Sequence, residues 1–227
     1  ILITKDKLIK KIKDHISFDQ IKKTDQKIES VIHLMSNQKI LIFVSSGRVF
    51  SLDPNILPSG KSNPKSIFYF IDAITNDKLV GIIKAETNKF CILVSERGKG
   101  FVSENSLMLT NQKKGKQIFN LKSNDVLVKV LDCNKNHLAA VNKSGKLLII
   151  DIKNLPILQK GGGVQIIKIK EGDALSDIQL IDLSEGLSWK TGSKIRNIID
   201  IKFWIGKRAQ SGKKVPKFFN KNLKFFD

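Results

Sequence analysis

Apolar runs of four to six residues, rich in Ile, Val and Phe, recur along the chain with Gly, Asn, Asp or Ser between them. "KILIFVSSGRVFSL" and "NHLAAVNKSGKLLIIDI" show the form: one apolar run, a few turn residues, then a second run. Branched and aromatic side chains suit a pleated surface and Ser-Gly or Asn-containing pairs suit tight turns, so each phrase predicts strand, turn, strand. No window of a dozen residues keeps a convincing helical period. The nearest, "DHISFDQIKKTDQKIESVIHLM", sets Ile16, Gln20, Lys23 and Lys27 on one face. That face is of mixed polarity, and the Ser, Asp and Gln breaks suit strand and turn as well.

Five hairpins share one design: "LITKDKLIKKI", "LIFVSSGRVFSL", "ILVSERGKGFVS", "AAVNKSGKLLII" and, less well, "GLSWKTGSKIRNI". Aligning Thr4, Ser45, Ser95, Asn142 and Thr191 gives spacings of 41, 50, 47 and 49 residues, room for about four short strands per unit. In the middle three units a second phrase follows: "NILPSGKSNPKSIFYFI", "SLMLTNQKKGKQIFNLK" and "NLPILQKGGGVQIIKIK". Each runs from an apolar corner through Gly and Lys into a strand. Such a repeat predicts an all-β, propeller-like ring of about five blades of about four strands, built as one domain over 1–227. The blades fall roughly at 1–38, 39–88, 89–136, 137–182 and 183–227. Equivalent loops of a ring line up on one face or rim, so charge repeated in them makes a track.

Charge sharpens this picture. Forty Lys and Arg stand against 21 Asp and Glu, a net +19 on 227 residues. A compact chain this basic repels itself and attracts polyanions: nucleic acid, an anionic membrane face or acidic protein. A drift toward Ile, Asn and Lys explains why Arg48, Arg97, Arg196 and Arg208 are the only arginines, but not the missing acids, which favours nucleic acid. The stretch "SERGKGFVSENSLMLTNQKKGKQIFNLK" gathers Arg97, Lys99, Lys113, Lys114 and Lys116 around three glycines.

Other chemistry finds less support. A phosphate-binding loop or dinucleotide turn needs its glycines to open a helix, whereas "RGKG" at 97–100 and "GGG" at 161–163 lead into strands. Gly161, Gly162 and Gly163 read as a turn needing positive φ. Cys91 and Cys133 make neither a disulfide framework nor a metal cluster and read as buried thiols. His15, His33 and His137 lie far apart without partners at ligand spacing, and no G-x-S-x-G elbow is present. Tyr69, Trp189 and Trp204 read as packed side chains. In the C-terminal "GKRAQSGKKVPKFFNKNLKFFD" the pairs Phe218–Phe219 and Phe225–Phe226 are expected to pin the tail across an apolar seam while its lysines face water; stacking on bases is the alternative. There is no run of eighteen apolar residues and no secretory leader, and the chain opens at Ile1 in mid-pattern, as expected of a piece of a longer cytosolic protein without a membrane span.

The period near 48, the hairpins "SSGRVFSL" and "KSGKLLIIDIKNLP" and the loop "NQKKGKQIFNLK" resemble the C-terminal domain of the bacterial DNA gyrase and topoisomerase IV A subunits. The close, "KEGDALSDIQLIDLSEGLSWK" followed by "WIGKRAQSGKKVPKFF", is similar to the end of the topoisomerase IV branch as it occurs in Gram-negative bacteria, and the likeness covers essentially the whole chain. It implies a β-pinwheel whose blades exchange strands, with duplex DNA along a basic outer rim. In gyrase a box Q-R-R-G-G-K-G in the first blade supports strong wrapping. Here Gln112-Lys113-Lys114-Gly115-Lys116-Gln117 matches it partly and Gln159-Lys160-Gly161-Gly162-Gly163 more weakly, both in later repeats, which favours topoisomerase IV over gyrase.

The resemblance further implies a domain that does no bond chemistry and carries no cofactor or metal. The DNA-cutting tyrosine belongs to a winged-helix core ahead of it, and ATP and Mg to other domains. The implied partners are double-stranded DNA, the ATPase B subunit of an A2B2 assembly, and the N-terminal core that precedes the domain in its own chain. The implied location is the cytoplasm, at the nucleoid. Arg48, Arg97, Lys99, Lys113, Lys114, Lys116 and Lys160 are the expected phosphate contacts, with Lys207 and Arg208 next. A protein-docking propeller would instead need an apolar hot spot on an open face, and a propeller hydrolase or lyase clustered acids or histidines.

Overall fold

A computed structural model describes residues 1–13 and 27–226. The stretch with the nearest helical period falls largely on 14–26, outside the described residues, and its C-terminal part, Ile28–Val31, is a strand.

The chain begins with β1 (Leu2–Thr4), β2 (Leu8–Lys10) and β3 (Ile28–Val31). The next repeat supplies the hairpin β4 (Ile40–Val44) and β5 (Arg48–Leu52), the two-residue β6 (Lys65–Ser66) and the longer β7 (Leu79–Lys84). The order recurs as β8 (Phe90–Ser95), β9 (Lys99–Glu104), β10 (Lys116–Gln117) and β11 (Leu127–Asp132). It recurs again as β12 (His137–Asn142), β13 (Lys146–Asp151), β14 (Val164–Gln165) and β15 (Leu175–Ile181). The hairpin β16 (Leu187–Thr191) and β17 (Lys194–Ile198) and the short β18 (Lys213–Lys214) complete the series.

The pairing departs from the chain order in one systematic way. Four four-stranded antiparallel sheets run β3-β1-β2-β6, β7-β4-β5-β10, β11-β8-β9-β14 and β15-β12-β13-β18. Three strands of each come from one repeat and the fourth, only two residues long, from the next. This is the strand exchange expected of a β-pinwheel. The four sheets are called blades one to four below; the hairpin β16–β17 stays two-stranded.

The apolar runs mark where a hairpin strand is covered on both faces. All of Ile40–Val44, Cys91–Ser95 and Leu138–Asn142 is buried, which accounts for continuous rather than alternating hydrophobicity. The third strands sit half-covered, as the mixed burial of Leu127–Asp132 shows. Unit 1, Ile1–Asn88 with Asn105–Ile118, closes around Ile9, Ile42, Phe50 and Ile67. Unit 2, Lys89–Glu104 with Phe119–Asp227, has one core around Ile92, Leu138, Ile150 and Ile166 and a second around Val141, Leu147, Trp189, Trp204 and Phe225. Trp189 and Trp204 are buried, as expected.

A carboxylate recurring every 48 residues fastens each central hairpin turn. Asp77 accepts from the Ser45 hydroxyl at 3.2 Å and the Ser46 N–H at 2.9 Å. Asp125 accepts from the Ser95 hydroxyl at 2.8 Å and the Arg97 N–H at 3.0 Å. Asp173 accepts from the Asn142 amide at 2.8 Å and the Ser144 hydroxyl at 2.9 Å. Each Asp precedes its third strand, so one side chain ties the turn to the sheet edge and satisfies donors that the tight turn leaves over.

Three expectations change. Tyr69 is 69% exposed, because β6 stops after two residues and the chain enters a 3-10 turn, Ile67–Tyr69, that buries only Ile67. Its ring lies 4.4 Å from the Lys65 ammonium. Cys91 is fully buried, and desolvation together with the nearby Asp132 carboxylate pushes its thiol well up, but Cys133 is half-buried. In the tail, Phe219 and Phe225 are packed while Phe218 and Phe226 stand 69% and 44% exposed, so only one ring of each pair pins the seam.

Candidate nucleic-acid interface

Four loops, 59–64, 110–115, 158–163 and 205–212, each lead into an exchanged strand. Each is anchored where it starts. Ser59, Ile157 and Ile205 form parallel bridges to Lys11, Val102 and Ile149, and the Thr110 N–H donates to Ser51 Oγ at 2.9 Å. Each is anchored again where it ends, in the exchanged strand. A loop held at both ends displays its tip, and Lys61, Lys113, Lys114, Lys160, Lys207 and Arg208 are all exposed there.

The downstream anchor demands glycine in three of these loops, one of them through Gly212, at φ +72° with a Cβ that would lie 2.6 Å from the Leu147 carbonyl oxygen. Gly115 has φ +68°, and a Cβ on it would lie 2.8 Å from the Phe50 ring and 2.9 Å from the Val49 carbonyl oxygen. Gly163 has φ +65°, and a Cβ would lie 2.9 Å from the Gly100 carbonyl oxygen. Only a residue without a Cβ lets the incoming strand approach so closely at this backbone conformation. Of the three consecutive glycines expected at positive φ, Gly163 alone adopts it. Gly161 instead accepts the Asn120 N–H at 2.8 Å.

The remaining candidates lie where the hairpin edge meets the exchanged strand, Lys116 in the exchanged strand itself. Arg48, half-buried, donates from Nη1 to the carbonyls of Lys114 at 2.9 Å and Gly115 at 3.3 Å and so buckles the box-like loop onto β5. Lys116 Nζ donates to the Leu107 carbonyl at 2.9 Å. Arg97 is exposed, with Nη1 3.4 Å from the Asp173 carbonyl. Lys99 stands opposite Gln165 in the β9–β14 pair. Carbonyl acceptors leave a cation's charge unneutralised. Among the described residues Lys7, Lys84, Lys129, Lys135 and Lys143 form ion pairs, and none of the nine candidates has a carboxylate partner.

Exchange also assembles a basic set that is scattered in sequence. Lys146 occupies in β13 the position that Arg48 holds in β5 and Lys99 in β9, and it faces Lys214. Lys146, Lys168 and Lys170 line one open cleft beside the β12–β13 turn. Among the described residues no group of three or more His, Cys, Asp and Glu could hold a metal, and no helix is long and apolar enough to cross a membrane.

The repeat that carries these loops is itself diagnostic. The family model described as "DNA gyrase C-terminal domain, beta-propeller" matches residues 89–134 and 136–182, the repeats of β8–β11 and β12–β15. The A subunit of DNA topoisomerase 4 from Rickettsia bellii is 33% identical over 195 residues, covering 86% of this chain and 26% of the relative. Its counterpart from Caulobacter vibrioides is 31% identical over 204 residues, covering 89% and 27%. The chain belongs to the DNA gyrase A and topoisomerase IV A C-terminal domain family. Among solved structures, the Escherichia coli ParC C-terminal domain superposes with a TM-score of 0.82 at 19% identity, covering 96% of this chain and 94% of that one. A gyrase A C-terminal domain superposes with a TM-score of 0.62 at 16% identity, covering 96% and 78%. This gyrase A-type domain spans about a quarter of the length of the topoisomerase relatives it matches.

Proposed function

We propose that the domain binds duplex DNA through its phosphate backbone, along the exposed basic loops and the sheet edges that receive the exchanged strands. One observation carries this: exposed cations without carboxylate partners recur at topologically equivalent positions, upstream of each exchanged strand, so the period of the fold becomes a period of positive charge. Lysines neutralise phosphates by releasing counterions and read no base edges, so binding is sequence-blind and salt-steep. Arg97, Lys99, Lys113, Lys114, Lys160, Lys207 and Arg208 face the DNA directly, while Arg48 and Lys116 shape the box-like loop and add to its field.

In the whole protein, the domain holds or bends the DNA segment offered for transport. ATP hydrolysed on a B subunit then drives passage of one duplex through another, for decatenation and supercoil relaxation. Cutting belongs to a tyrosine in the N-terminal core; Tyr69, exposed with its ring between Lys65 and Phe70, is assigned no part in it. The assembly works in the cytoplasm, on the nucleoid.

The test is fluorescence anisotropy of a labelled random-sequence duplex across a salt series, with an unrelated duplex as competitor. If about six phosphates are neutralised, log affinity falls with a slope of about −5 against log salt, and the competitor displaces the probe equally well. Absence of binding at low salt would refute the proposal.

A further inference from the structure

Blade four departs from its neighbours at the seat of the exchanged strand. In blades two and three the residue opposite the hairpin cation is a glutamine: Gln117 faces Arg48 and Gln165 faces Lys99. Its side-chain amide seals the turn, Gln117 donating to the Ser46 carbonyl at 2.9 Å and Gln165 to the carbonyls of Arg97 and Ile167 at 2.7 Å each. In blade four the same position holds Lys214, directly opposite Lys146. Like charges at opposed positions of an antiparallel pair cost stability. The turn is also left open. A Cβ on Gly98 of blade three would meet three atoms within 3.2 Å, whereas a Cβ on Gly145 of blade four would meet only Leu223 Cδ2, at 3.7 Å.

Beside that open turn lies a cleft of about 720 Å³ lined by Lys143, Lys146, Lys168 and Lys170, with Glu171 and Asp173 as its acids. The Asp173 carboxylate is occupied by Asn142 and Ser144, and Lys143 pairs with Glu96 only at 3.7 Å. Lys146, Lys168 and Lys170 are exposed and have no carboxylate partner among the described residues. An unrelieved Lys–Lys opposition next to an open, lysine-lined cleft is a cost the fold could remove with the glutamine used elsewhere.

We infer that the blade-four cleft is the dominant phosphodiester seat of the domain, where DNA phosphates supply the negative charge the sheet lacks. This rests on the duplex-binding function proposed above and adds which lysines govern it. The box-like loop of blade two, with Lys113, Lys114 and Lys116, is the secondary contact.

Two variants of the chain decide it: K146A/K168A/K170A and K113A/K114A/K116A, titrated against a labelled random duplex at several salt concentrations. The cleft variant is expected to lose about tenfold or more in affinity, with a salt slope shallower by about 3, and the loop variant about threefold. K146R/K168R/K170R should bind like the unsubstituted chain. Removing Lys146 also relieves its opposition to Lys214, so melting of the cleft variant should not fall. If it does fall, K168Q/K170Q, outside the paired register, carries the test with an expected slope change of about 2. A cleft variant that binds as well as the unsubstituted chain, or no worse than the loop variant, overturns the assignment while leaving DNA binding intact. An unsubstituted chain that binds no duplex overturns both.

Discussion

Blade three and the last hairpin are built from similar phrases, "ILVSERGKGFVS" and "GLSWKTGSKIRNI", yet end in opposite states. In blade three, Cys91–Ser95 and Gly100–Ser103 are buried. In the last hairpin, Lys194–Asn197 is exposed throughout and Ile195 is 71% exposed. The cause is neighbours rather than composition. The hairpin β8–β9 carries β11 on one edge and the exchanged β14 on the other, whereas β16–β17 has no further strand among the described residues. What replaces the missing strands is the tail. The Trp189 indole and the Thr191 hydroxyl donate to the Phe218 carbonyl at 3.0 and 2.8 Å, and the Lys190 N–H donates to that of Phe225 at 2.7 Å. The Phe225 N–H donates in turn to the buried Asp177 carboxylate at 3.0 Å. Every blade borrows its last strand from downstream, whereas among the described residues the last hairpin is met by this strap instead.

The strap gives the comparison its strongest test. Phe225 is 1% exposed and packs edge-on against Phe219, which stacks on Trp189. Phe225→Ala should cost about 3–5 kcal/mol in chemical denaturation, as expected for emptying a buried aromatic site. Hydrogen exchange should speed up across 187–198 first, with the β8–β9 amides kept slow. Equal loosening of both hairpins would mean that the last one is held by the rest of unit 2 and not by its tail.

A smaller effect probes what blade three has and the last hairpin lacks. Asp125→Ala removes the acceptor of both the Ser95 hydroxyl, on a fully buried residue, and the Arg97 N–H. Leaving such groups unsatisfied should cost about 1–3 kcal/mol, read as a lowered melting temperature. Asp125→Asn keeps one carbonyl acceptor and should lose less. A neutral Asp125→Ala would mean that the turn is held by the sheet alone.

The hairpins, their spacing and the all-β class were legible because burial on both faces forces continuous apolar runs, and tight turns force Gly, Ser and Asn. Strand exchange was legible only through the family resemblance. A two-residue strand such as Lys116–Gln117 or Lys213–Lys214 leaves no hydrophobic period of its own, and its partner lies more than a full repeat upstream. The same shortness misled the expectation for Tyr69, whose apolar neighbours suggested a strand where the chain turns out to solvent. The candidate loops could be found because Lys113 and Lys114, or Lys207 and Arg208, are adjacent in sequence. The blade-four cleft could not, since Lys146, Lys168 and Lys170 come together only through the fold, and Lys168 and Lys170 sit in an apolar run that reads as strand. A detectable signal was present in the 48-residue recurrence of Asp77, Asp125 and Asp173, which holds its register better than the turn residues used to align the repeats.

The weakest expected effect sharpens the comparison most. Ile195 belongs to the edge strand β17, where Lys194 and Arg196 flank it and discourage pairing with another chain's edge. Because it is already in water, Ile195→Ser should change stability by no more than about 0.5 kcal/mol. Any small loss would come from β propensity, since a branched side chain suits a strand better than serine does. Its counterparts in blades two and four, Val49 and Leu147, are fully buried beside an exchanged strand, and the same loss of apolar area there would be felt at once. A cost above about 1 kcal/mol at Ile195 would lie outside the range of an exposed site. It would mean that β17 is covered in the folded chain, so that the last hairpin, like the four blades before it, borrows a neighbour.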